Sequence, residues 1–154
     1  MPVAIGVLIG GAVSVEPRSI GAGHRIVFQF DNPVTSVTSV SAIDTMGSPI
    51  GSATPSFPGN NELVVTLTGV PDNARVTVSV TGANGAVNAS ASIGFMVGDV
   101  NGTRSVNASD ISAVKANLNL PASAANFRMD LNANGAISSA NVSAAKARSG
   151  LVLP

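Results

Sequence analysis

The sequence predicts a mainly β chain with a small helical part: an antiparallel β-sandwich over residues 1–97, then a duplicated loop-helix segment over residues 98–154. Three observations carry this. The first part is built of short runs in which Val or Ile alternates with Ser or Thr, the period of a half-buried strand. At Gly98 the alternation stops, and Ile111, Val114 and Leu118 follow at helical spacing. The stretch 99–116 then returns at 130–147, an offset of 31 residues.

The opening run 3–13 is apolar and is expected to be a buried first strand. It holds a GxxxG match, Gly6-Val7-Leu8-Ile9-Gly10, but is too short to span a bilayer and lacks the basic start of a signal peptide. The chain is therefore expected to be part of a longer, multidomain protein. Residues 24–30 place Ile26, Phe28 and Phe30 on one face and Val27 on the other. Residues 34–43 set Val34, Ser36 and Thr38 against Val37, ahead of a Met46-Gly47-Ser48-Pro49 turn. Residues 63–70 and 75–81 are the clearest strands, with Val76, Val78 and Val80 alternating with Thr77, Ser79 and Thr81. Gly69-Val70-Pro71-Asp72-Asn73 supplies the turn between them. Asn84-Gly85 then predicts a hairpin leading into a last strand at 86–95. Six or seven short strands with no helical period argue for a sandwich of immunoglobulin-like type, although the Cys–Trp–Cys signature is missing.

Beyond Gly98, a helix is expected at 110–118, closed by Pro121, and a second at 141–149, with Val142 and Ala145 on one face and Gly150 as its stop. Both are short and Ala-rich, so neither would hold its shape without docking.

Composition narrows the function. Net charge is zero, which removes the electrostatic reason to expect a nucleic-acid or anionic-membrane partner. Cysteine is absent, and with it disulfides, thiolate nucleophiles and cysteine-bound metals. Trp and Tyr are absent too, which argues against a sugar-stacking platform. His24 is the single histidine and starts a strand, with no Ser–Asp set beside it. Asp31, Asp44 and Asp72 fall in turn-like sequence, not as a paired-carboxylate hydrolase site. No catalytic residue is assigned, and the chain is expected not to be an enzyme.

The repeat carries the chemistry. Asp99, Val100 and Asn101 align with Asp130, Leu131 and Asn132; Val106 with Ile137; Ile111 with Val142; Lys115-Ala116 with Lys146-Ala147. Each copy opens with a twelve-position loop of EF-hand type. Calcium is a hard cation taking six to eight oxygens, and such a loop converges them from positions 1, 3, 5, 7, 9 and 12. The first loop offers Asp99, Asn101, Thr103, the Ser105 carbonyl, Asn107 and Asp110. The second offers Asp130, Asn132, Asn134, the Ala136 carbonyl, Ser138 and Asn141. Val106 and Ile137 fall at position 8, an inward apolar place in paired loops. Loop one has Arg104 where a glycine usually makes the strained turn at position 6; loop two keeps Gly135 but ends in Asn141, which is no carboxylate. Few carboxylates predict weak sites, on the order of 10⁻⁴–10⁻³ M, the range of extracellular modules. The same residues also admit loops held by Asx turns and helix caps without metal.

Gly98-Asp99-Val100-Asn101-Gly102, Val106-Asn107, Asp110-Ile111 and Lys115 resemble the first repeat of a type I dockerin. Met129-Asp130-Leu131-Asn132-Ala133-Asn134-Gly135-Ala136-Ile137 and Lys146 resemble its second. The likeness covers about residues 98–150. Ile26-Val27-Phe28-Gln29-Phe30 and Val65-Thr66-Leu67-Thr68-Gly69-Val70 are similar to the immunoglobulin-like region that precedes dockerins in non-cellulosomal bacterial extracellular proteins. The resemblance implies a secreted or cell-surface parent, up to two calcium ions, and a cohesin-like partner or an intramolecular docking role. It places the partner-reading residues at loop positions 10 and 11, here Ala108 and Ser109, then Ser139 and Ala140. Lys115 and Lys146 match basic helix positions of the same surface.

Two functions follow as expectations. One is a non-catalytic, calcium-binding C-terminal module for protein–protein attachment. The other is a structural spacer whose helices pack on their own sandwich and recruit no partner.

Overall fold

The computed structural model describes residues 13–154, so residues 3–12 of the expected first strand, with its GxxxG match, lie outside the described residues. In chain order the elements are β1 (Ser14–Glu16), β2 (His24–Gln29), β3 (Ser39–Ile43), β4 (Ser52–Ser56), β5 (Glu62–Thr68), β6 (Ala74–Ala83) and β7 (Val87–Phe95). Then come α1 (Ala108–Ala116), a 3-10 turn (Phe127–Met129) and α2 (Ser139–Ala147). The described chain is mainly β with two small helices. Its strands form two sheets, in the orders β1-β7-β6-β3 and β2-β5-β4. The residues gather into two compact units, one of Gly21–Val70 with Val76–Ser92, the other of Val13–Ile20, Pro71–Arg75 and Ile93–Pro154.

In the first unit the strand alternation decides the core. Antiparallel β2 and β5 set Ile26 opposite Val65 and Phe28 opposite Leu63. Ile26, Leu63, Val65 and Leu67 are buried, as are Val76, Val78 and Val80 of β6. Each such side chain stabilises the fold by roughly 1.5–3 kcal/mol. The expected hairpin is present: Asn84 and Gly85 both take positive φ, 48° and 84°, which suits a tight turn between twisting strands.

Two differences from the expected strands have local causes. Residues 34–38 are not part of β3: Asn84 captures the backbone at Pro33, Thr35 and Ser36, and Thr38 N–H donates to Thr81 of β6. Asn84 Oδ1 accepts from Thr35 N–H at 3.0 Å, its Nδ2 donates to the Pro33 carbonyl at 2.8 Å, and its own N–H donates to Ser36. The strand β4 has no clear alternation in the sequence. It contains Pro55, which a sheet tolerates where no ladder donor is needed, and β4 is the edge of its sheet.

The second unit departs from an all-antiparallel arrangement. Its short β1 pairs parallel with the end of β7, Ser14 opposite Ile93, Val15 opposite Gly94 and Glu16 opposite Phe95. Parallel neighbours need a long crossover, and the chain from β2 to β6 provides it. Val97, Val100, Val114, Leu131, Ile137, Val142 and Ala145 form the core between the two loop-helix copies. A second cluster joins Val15, Met96 and Val106, with Leu153 packed against it.

Both helices start two residues before the expected point and end two residues sooner. The cause is a capping box at each N-terminus: Asn107 with Asp110, and Ser138 with Asn141. Because α1 ends at Ala116, Leu118 falls out of helical phase and is exposed, while Val114 is fully buried.

Candidate paired-loop site

The two loops share one backbone. Each has a left-handed residue at position 4, Gly102 (φ 75°) or Ala133 (φ 53°), and another at position 6, Arg104 (φ 67°) or Gly135 (φ 93°). Each copy therefore has one glycine and one strained residue, at opposite places. At position 1, Asp99 Oδ1 accepts from Thr103 N–H at 3.0 Å and Oδ2 from Arg104 N–H at 2.7 Å. Asp130 does the same with Asn134 and Gly135, at 3.2 Å and 2.8 Å. These carboxylates tie the loop ends to the turn.

Position 12 separates the copies. In loop one, Asp110 Oδ1 accepts from Asn101 N–H at 3.2 Å and Oδ2 from Asn107 N–H at 3.0 Å. In loop two, Asn141 Oδ1 accepts from Ser138 N–H at 2.8 Å, but its Nδ2 donates to Asn132 Oδ1 at 3.2 Å.

The other expected ligands line the same turns. Asn101 Oδ1 accepts from both the hydroxyl and the N–H of Thr103, at 2.7 Å and 3.1 Å. Asn134 Oδ1 accepts from Ala136 N–H at 3.1 Å. Asn107 and Ser138 act as helix N-caps. The Ser105 and Ala136 positions sit in isolated bridges to Val152 and Pro121.

Those bridges belong to a crossed ladder between the two copies. Val106 N–H donates to the Leu151 carbonyl and Gly150 N–H to the Val106 carbonyl; Leu153 N–H donates to Arg104. In the second copy Ile137 N–H donates to Leu120, Asn119 N–H to Ile137, and Ala122 N–H to Gly135. Each loop is thus braced by the strand that follows the other copy's helix. Val106 and Ile137 both point inward, as expected.

One further residue holds loop one in place. Arg128, just before the second loop, donates from Nε to the Val100 carbonyl at 2.7 Å, from Nη2 to Asp99 O at 3.2 Å and from Nη1 to Val15 O at 3.0 Å. Burial lowers its pKa from the ordinary arginine value, with the nearby charge of Glu16 opposing that change. Glu16 and Arg18 form a buried two-point ion pair at 2.7 Å and 2.9 Å, and Arg18 lies 5.0 Å over the ring of Phe127. In sequence Arg128 had no signal, because its partners are backbone carbonyls, whereas Glu16 and Arg18 lie two residues apart with opposite charges.

Loop one concentrates negative charge: Asp99 and Asp110 are both fully buried, and backbone N–H donors and the nearby Arg128 charge offset the cost. Burial raises the Asp99 carboxyl above its ordinary value; hydrogen bonds from Arg104 and Thr103 oppose this, and the Asp110 charge adds to it. Asp99, Asn101, Thr103, the Ser105 carbonyl and Asp110 could converge on a hard cation. Loop two is different, because Asn141 turns an N–H toward Asn132. Among the described residues no three His, Cys, Asp or Glu side chains cluster for a metal, so an ion here would need amide, hydroxyl and carbonyl oxygens beside the carboxylates.

The six expected partner-reading residues, Ala108, Ser109, Lys115, Ser139, Ala140 and Lys146, are all exposed. The Ser109 hydroxyl accepts from Asn101 Nδ2 and donates to Asn107 Oδ1, at 2.8 Å each, so the loop fixes its orientation. Among the described residues no helix is long and apolar enough to cross a membrane.

A comparison with curated proteins found no match to this chain. The segment 97–148, which holds both loops and both helices, matches the family model of the dockerin type I domain.

Proposed function

We propose that the chain is a non-catalytic, calcium-binding module of a secreted bacterial protein, and that it attaches its parent to a cohesin-like partner. The observation that supports this best is the family match over 97–148, joined to six exposed residues at the partner-reading positions. Calcium would sit among oxygens of the loops and neutralise their buried carboxylates, fixing the helix starts that present Ala108, Ser109, Ser139 and Ala140. The two sheets before the loops are consistent with an immunoglobulin-like sandwich serving as a spacer, and the loops with EF-hand-like repeats.

The test is binding of an immobilised cohesin panel by the whole chain, with calcium and with chelator. Calcium-dependent capture that weakens at least tenfold in the double variant Lys115→Glu, Lys146→Glu supports attachment. Binding to no cohesin, with the protein folded in calcium, removes it.

The spacer reading has one observation in its favour. The compact unit that carries both helices also takes in Pro71–Arg75, where Asp72 pairs with Arg148 of the α2 C-terminus and accepts from Val97 N–H. Under that reading, capture from the source secretome yields nothing while the melting temperature still rises with calcium.

A further inference from the structure

We infer that loop two is closed by its own Asn141 amide and needs no metal, so that the chain takes up a single calcium, in loop one. This rests on the calcium reading above and sharpens it. The two loops coincide at position 1, at the left-handed positions 4 and 6, and in their bracing ladder. They part at position 12. There Asp110 presents only acceptors, and both of its oxygens already receive a backbone N–H while keeping lone pairs for a cation.

Asn141 has one acceptor, and Ser138 N–H uses that side at 2.8 Å. A backbone N–H must face an oxygen, which fixes the amide orientation and turns the NH2 group toward the interior of the loop. It meets Asn132 Oδ1, the position 3 oxygen, at 3.2 Å. A donor therefore stands where a ligand oxygen is needed, and it engages a second expected ligand. The polarity of the closing residue is reversed, and Asp130 is left as the single carboxylate of its loop. Asn141 is almost fully buried at 1 % exposure, and the amide makes its three contacts, the Ser138 hydroxyl on Oδ1 among them, inside the protein without a charge.

The experiment is equilibrium dialysis of the whole chain against radioactive calcium at saturating concentration, for the wild type, Asp110→Asn and Asn141→Asp. The expected counts are one ion, none and two. Asn141→Asp is also expected to melt lower than the wild type in chelator and to regain that loss in calcium, because the new carboxylate has lost the Asn132 contact and awaits a cation. Two ions on the wild type, an ion retained by Asp110→Asn, or a single ion on Asn141→Asp would each overturn the inference while leaving calcium binding intact. No ion on the wild type would overturn the calcium reading itself, and the inference with it.

Discussion

Val106 and Ile137 lie 31 residues apart, and each takes its two backbone partners from the chain that follows the other copy's helix. The two loops are therefore tied by exchange rather than side by side. Neither loop-helix copy contains its own support, which accounts for a stable pair built from two short helices.

The exchange makes the last residues structural. Deleting 150–154 removes three backbone hydrogen bonds to Arg104 and Val106 and the packing of Leu153 on Val15, Met96 and Val106. The expected loss is about 4 kcal/mol, from roughly 1 kcal/mol for each of the three hydrogen bonds plus about 1 kcal/mol for the partly buried apolar contact. Urea unfolding of the truncated chain measures it, and an unchanged midpoint would show that the ladder carries no stability.

Arg104 adopts φ 67° without being glycine, so Arg104→Gly should relieve backbone strain. We expect a gain of about 1 kcal/mol in calcium-free buffer. Calcium affinity should rise several-fold, because a positive charge leaves the neighbourhood of Asp99. Thermal melting and calorimetric titration read the two effects separately.

Arg128 satisfies three carbonyls with one guanidinium. Arg128→Met keeps much of the apolar stem and strands those acceptors, which should cost about 3 kcal/mol. Arg128→Lys should recover less than half of that, since a compact ammonium cannot reach three divergent carbonyls in one plane. Comparing the two urea midpoints distinguishes fork geometry from charge alone.

Acid should weaken calcium binding earlier than for an exposed aspartate. The Asp99 carboxyl is raised from 3.8 chiefly by burial, so protons compete for it at a higher pH than for an ordinary side chain. A protonated carboxyl is a poor ligand, and the dissociation constant should therefore rise as pH falls. Titrations at about pH 7 and about pH 5 check the sign, and equal affinities would contradict it.

Much of this was legible in the sequence, for definite reasons. Val76, Val78 and Val80 announced β6 because strand period and burial coincide there. The loop positions were legible because oxygen-bearing residues recur at fixed spacing. The helix starts were misplaced by two residues, although Asn107-x-x-Asp110 and Ser138-x-x-Asn141 carry the capping signal. The irregular path of 34–38 was hidden because its cause, Asn84, lies 49 residues from Thr35. The crossed ladder had a trace, since Leu120 and Leu151 keep the repeat offset beyond its helices. Backbone pairing leaves little imprint on side-chain identity. Arg128 left none, because it pairs only with backbone carbonyls.

The buried pairing of Glu16 with Arg18 limits how freely this module can be transplanted. A gene fragment cut at the edges of the family match would leave behind the stretch that seats Phe127 and receives Arg128. It would also discard the closing strand at 151–153. Fusing only that middle piece to a foreign carrier should give a sticky, poorly soluble tag. A graft of the whole stretch 13–154 keeps the β1–β7 pairing and the closing segment, and should behave as a self-contained adaptor.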